Sequence, residues 1–153
     1  SVPAWTTTPD RDGVMTLYKG SCHCGAVTVE LETETNPADI YVRECQCSFC
    51  RAHGAVSASD PNGRIRYIER NPGDIVRYRF GTKTCDFLIC RHCGVYMGAT
   101  MDDETTPGYS TTQIKHFEDR ALFTKMARHP DYDDEPLEAR LARRRRNWTP
   151  IAE

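Results

Sequence analysis

Seven of the eight cysteines in this 153-residue chain fall into three tight groups, and nothing else in it restricts the fold so sharply. Cys22 and Cys24 lie in SCHCGAV, Cys45, Cys47 and Cys50 in ECQCSFCR, and Cys90 and Cys93 in ICRHCGVY, with Cys85 alone. An even number of cysteines in a small secreted chain would suggest disulfides. Cysteines one or two residues apart rarely bridge each other, however, and such spacing suits metal knuckles.

The groups hold two, three and two cysteines. A C-x-x-C knuckle turns both sulfurs toward one ion, and a glycine directly after it accepts the positive φ that such tight turns often require. Gly25 and Gly94 occupy that place in the first and third groups, and the middle group has no equivalent. The economical pairing is therefore Cys22, Cys24, Cys90 and Cys93 around one closed, structural zinc, whose binding contributes directly to folding. Cys45, Cys47 and Cys50 then hold a second zinc with three thiolates, leaving one position for water or substrate. Two zinc ions per chain are expected.

Cys85 is the alternative fourth ligand of the second ion, which would make both sites structural. In TCDFLIC it shares strand parity with Phe87 and Ile89 and so also reads as a buried apolar thiol. His53, three residues past Cys50, is a candidate proton carrier, although a lone histidine beside zinc more often supports the ligands from behind. Arg43, Arg51 and Arg91 lie around the cysteines and either offset thiolate charge or include one, with Arg51 the candidate, that grips a substrate carboxylate with its planar fork.

The length suits one domain. A net charge of -2, from 20 basic and 22 acidic residues, provides no pull toward nucleic acid or membrane. No apolar run reaches bilayer length, and SVPAWTTTPDRDG has neither a basic nor an apolar leader region, so a cytoplasmic chain is expected. Residues 1–13 read as a surface arm. Short alternating or β-branched runs at 15–19, 26–32, 40–43, 65–68, 75–80, 87–89 and 95–100 read as strands, separated by the turn sequences TNPAD, DPNG and RNPGD. The zinc-binding β domain is placed at 14–130, with a helical segment at 131–153 packed on it. That helix begins acidic and ends in arginines, with Leu137, Leu141 and Trp148 as its docking stripe. Six acids against five arginines from residue 131 onward make the RRRR run at 143–146 read as a solvated face.

The order GSCHCGAV, CQCSFCR, ICRHCG resembles the glutathione-dependent formaldehyde-activating enzyme family, which includes centromere protein V-like proteins. The resemblance covers about residues 18 to 98. It implies a mainly β fold of short antiparallel strands in packed sheets stapled by two zinc ions, of the β-tent type. It also implies that the ion at Cys45, Cys47 and Cys50 is the reaction centre, where a thiol such as glutathione coordinates. The implied activity is that of a carbon–sulfur lyase run in either direction on a small thiol or thiol adduct. A zinc-stapled binding module with two structural ions, and a chaperone-like module sharing the fold, are the competing readings. The absence of basic tracts outside 143–146 favours the enzyme.

Overall fold

A computed structural model describes residues 15–125, 130, 132 and 134–152. The expected arm at 1–13 lies outside them. In chain order the elements are β1 (Thr16–Ser21), β2 (Val27–Thr33), β3 (Tyr41–Arg43), α1 (Ser48–His53), β4 (Ser57–Ser59), β5 (Arg64–Glu69), β6 (Ile75–Tyr78), β7 (Asp86–Cys90), β8 (Tyr96–Met101), β9 (Tyr109–Gln113), α2 (Leu137–Asn147) and β10 (Thr149–Pro150). Each of the seven runs read as strands overlaps one of these, and the fold is mainly β with antiparallel sheets and one main helix near its C-terminal end.

Alternation builds the smaller sheet. β1 and β2 bury every second residue, as a sheet with one face on a core must. β5 pairs the far side of β2, giving the order β1-β2-β5. The larger sheet runs β3-β4-β9-β8-β7-β6, with β10 also on β9. Val27, Val29, Leu31, Leu88, Met97 and Phe117 fill the space between the sheets, and Tyr67 of β5 ties them through a 2.8 Å hydrogen bond with Ser110 of β9.

The outer face of the larger sheet carries a second core containing Cys50, Cys85, Phe87, Tyr96, Ala99, Met101 and Trp148. A register shift between β7 and β8 helps to build it. Leu88 pairs with Gly98 and Ile89 with Tyr96, which leaves Met97 as the extra residue of a bulge. Met97 therefore turns to the inter-sheet core, while Tyr96 joins Ala99 on the outer face.

Three strands and a helix escape the hydrophobic pattern. β9 is YSTTQ, a buried inner strand made of polar residues. Its hydroxyls are satisfied by neighbouring backbone: Ser110 donates to the Ala99 carbonyl (2.8 Å), Thr111 to Ala58 (3.2 Å) and Thr112 to Met97 (3.3 Å). A buried polar side chain that is fully bonded is tolerated where an unbonded one is not. β4 (Ser57–Ser59) and β10 lie along the same edge of β9.

The docking of α2 corrects the expected stripe. Leu137 is 48% exposed, while Leu141 packs against the second core and Trp148, just past the helix, is buried in it. Arg144 is 8% exposed. The helix seats Arg144 beside Leu141, and Leu137 stays outside. Among the described residues, no helix is long and apolar enough to cross a membrane.

Candidate active site and metal centres

The first and third cysteine groups occupy two tight reversals that face each other. Between β1 and β2, the amide of Cys22 donates to Val27 and that of Gly25 to Cys22; between β7 and β8, Cys90 donates to Val95 and Gly94 to Cys90. Gly25 and Gly94 take φ of 86° and 79°, the left-handed values that glycine adopts without strain. The sulfurs of Cys22, Cys24, Cys90 and Cys93 lie within 4.8 Å of one another. Cys24 is 3.7 Å from Cys22 and 3.6 Å from Cys90. Four thiolates set tetrahedrally about 2.3 Å from a zinc would be separated by about 3.8 Å, so the donor set and its spacing fit a closed metal site. These separations far exceed the roughly 2.05 Å of a disulfide.

Neighbouring side chains brace this cluster. His92 bonds Asp74 at 2.7 Å, holding that carboxyl below the usual range, and Arg91 donates to the carbonyls of Asp74 and Gly73 through its amide and its Nε. The knuckle is thereby latched to the turn before β6.

The middle group is assembled differently. Cys45 follows β3, Cys47 caps α1 and Cys50 lies inside it. The Cys47 sulfur accepts the Cys50 amide at 3.4 Å, and Gly54, at φ 61°, ends the helix. Phe49 pins α1 to the sheet, its ring 4.4 Å from Phe87 and 4.8 Å from Tyr96. The three sulfurs lie within 4.8 Å of one another, and Cys85 is not part of that group. Hydrogen bonds from Cys45 and Cys50 hold the Cys47 thiol far below its ordinary range, and the same bonds push Cys45 and Cys50 up. Three sulfurs this close can all be thiolates only beside a cation.

What separates the two clusters is a cavity. Cys45, Cys47 and Cys50 line a cavity of about 420 Å³, and none of the other four cluster cysteines does. Its apolar wall includes Phe80, Phe87, Tyr96 and Trp148, and Cys85 also faces it. Burial pushes the Cys85 thiol up. Such a volume and lining suit a small organic ligand.

Of the remaining sequence candidates, Arg51 and His53 are exposed on α1 and do not line this cavity. His53 instead stacks against Phe49, ring centres 4.4 Å apart. The cavity's cations are Arg43, Arg140, Arg143 and Arg144. This corrects the solvated reading for Arg143 and Arg144, while Arg145 and Arg146 are exposed as expected: a charge sum is blind to orientation, which decides what each one meets. Positions 140, 143, 144 and 148 repeat at helical spacing, and that periodicity was the available signal.

A family model described as glutathione-dependent formaldehyde-activating enzyme matches residues 17–130. Among solved structures, the chain is similar to a crystal structure of a Rhodobacter sphaeroides protein, a structural-genomics target. The two are 34% identical with a TM-score of 0.50, over 66% of this chain and 88% of that one.

Proposed function

The chain belongs to the glutathione-dependent formaldehyde-activating enzyme family, and from that premise we propose that it is a zinc-dependent carbon–sulfur lyase acting on a small thiol and an aldehyde-type carbon. One observation carries the reading: only the three-sulfur cluster opens onto the cavity. Cys22, Cys24, Cys90 and Cys93 hold a structural zinc, and Cys45, Cys47 and Cys50 hold a second with one position available to the substrate. When bound there, zinc supplies an acidified thiol and a template that orients it.

In the forward direction the thiol sulfur forms a bond to the carbonyl carbon, and the carbonyl oxygen takes up the proton that the thiol gives up. The reverse reaction breaks that bond and returns the proton, so no oxidant or reductant is needed. Phe80, Phe87, Tyr96 and Trp148 keep water from the reacting carbon. Recognition of substrate charge passes from Arg51, the residue expected from sequence, to the arginines inside the cavity. The segment after residue 131 belongs to the same domain in this reading, because Leu141 and Trp148 share a core with Cys50.

Zinc-loaded protein is expected to make or cleave S-hydroxymethyl adducts of glutathione or a related thiol. Cys47→Ser should lose that turnover by about 100-fold or more while staying folded. A protein that holds two zinc ions yet turns over none of a broad panel of thiol–aldehyde adducts would instead be a zinc-stapled binding module.

A further inference from the structure

The cavity holds more positive charge than its sulfurs require. Four guanidiniums face it, and among the described residues Glu135 is its only carboxylate. Glu135 is shared by Arg143, which donates from Nε (2.9 Å) and Nη2 (3.0 Å), and Arg140, whose Nε lies 3.6 Å away. Three thiolates with one zinc would carry a net single negative charge and Glu135 another, leaving two positive charges unmatched among the described residues.

Those charges fall on Arg43 and Arg144, which are 6% and 8% exposed. Arg43 gives one bond, from Nη2 to Thr111 at 2.9 Å, and its buried Nη1 has no hydrogen-bond partner. Arg144 bonds Thr84 at 2.8 Å, touches the Met101 sulfur at 3.9 Å and lies 5.0 Å from the Trp148 ring, while its buried Nε has no partner. Among the described residues, neither forms an ion pair. Burial pulls the Arg144 guanidinium below its ordinary range. Natural interiors rarely leave a buried guanidinium donor unmet, because the desolvation cost is large and uncompensated.

We infer that Arg43 and Arg144 form an oxyanion subsite, and that the substrate of this chain is a thiol adduct bearing a carboxylate or phosphate that docks on them. Both groups present the planar or tripod oxygens that a guanidinium fork recognises. Arg144 comes from α2, beyond residues 17–130 where the family match lies. The device therefore sets specificity within a shared chemistry. That the bound anion belongs to a substrate rests on the proposed lyase function, but the anion site itself does not.

The test uses the zinc-loaded full chain, titrated calorimetrically with inorganic phosphate and, separately, malonate. Saturable binding of at least one is expected, weakened by about tenfold or more in Arg43→Gln and in Arg144→Gln. Arg144→Lys, which keeps the charge but not the fork, should weaken it less than Arg144→Gln. Arg146→Gln removes an exposed charge from the same helix and should change binding by less than about twofold. Tighter phosphate points to a phosphorylated substrate, tighter malonate to a carboxylated one. Kinetically, Arg144→Gln should lower kcat/KM at least tenfold more for an anionic thiol adduct than for the adduct of an uncharged thiol. No saturable binding of either probe by the unaltered protein overturns the subsite, as does an equal loss for charged and uncharged adducts. Anion binding that is sensitive to both arginines, without turnover of any adduct, would sustain the subsite and sink the lyase instead.

Discussion

Arg43 donates to the Thr111 hydroxyl at 2.9 Å, reaching from edge strand β3 across β4 to inner strand β9. The residue that leads into the cysteine trio is thus anchored to the strand whose polar character hid it in the sequence. Thr111 also donates to the Ala58 carbonyl. Thr111→Val keeps the shape, removes both bonds and leaves a buried guanidinium with a second unmet donor. We expect a loss of about 2 kcal/mol in urea denaturation. A loss below about 0.5 kcal/mol would show that Arg43 is not held by this contact.

The two cysteine clusters should respond differently to damage. Cys90 joins the end of β7 to the β1–β2 reversal, so Cys90→Ser or a strong chelator should abolish the cooperative unfolding transition. Cys47→Ser should release one equivalent of zinc and leave a cooperative transition within about 5 °C of the parent. Metal content and thermal unfolding read both. If Cys47→Ser were the variant that unfolded, the structural and reacting roles would have to be exchanged.

Cys85 is 6% exposed among Phe87 and Tyr96. Cys85→Ser sets a hydroxyl in an apolar site and should cost about 1–3 kcal/mol without altering the metal count. Loss of one zinc equivalent would mean that Cys85 moves in to close the second site, and the case for an open coordination position would fall with it.

Gly98 is where β8 passes closest to its neighbours. A Cβ there would stand 2.6 Å from the Thr111 carbonyl oxygen and 3.1 Å from the Thr112 Cα, and would collide with the Tyr67 hydroxyl. Backbone atoms cannot yield, and moving Tyr67 would break its bond to Ser110 between the sheets. Gly98→Ala should therefore destabilise by about 3 kcal/mol, measured by denaturation. A near-neutral result would place the sheets farther apart than they stand in this structure.

How much of this was legible depended on whether the governing interaction was local. The cysteine groups announce themselves because knuckle spacing is set within a few residues, and β1 and β2 because one residue in two faces a core. β9 was invisible because the hydroxyls of Ser110, Thr111 and Thr112 are satisfied by carbonyls of β8 and β4, which no alternation of apolar residues records. α1 was hidden inside the cysteine trio because six residues are too few for a helical period. The cavity arginines were missed for another reason: Arg143 and Arg146 count equally in a charge tally, yet only the former faces the cavity.

His116 provides a test of burial through pH. Its Nε2 is buried without a partner, and burial pushes the imidazole down to about 4, against about 6.5 in the unfolded chain. Between those values the unfolded state binds more protons, so stability rises with pH across the window and is lost as pH falls from about 6.5 to about 4. Above pH 7 the residue is neutral in both states and contributes no slope. His116→Leu removes the proton-binding difference, so its stability relative to the parent should improve steadily as pH falls through the window. Acid release of metal from the cysteines acts on both proteins, and the difference between their denaturation curves isolates the histidine. Parallel curves from pH 7 to pH 4 would mean that His116 finds solvent or a partner when charged, and is not held neutral by the interior.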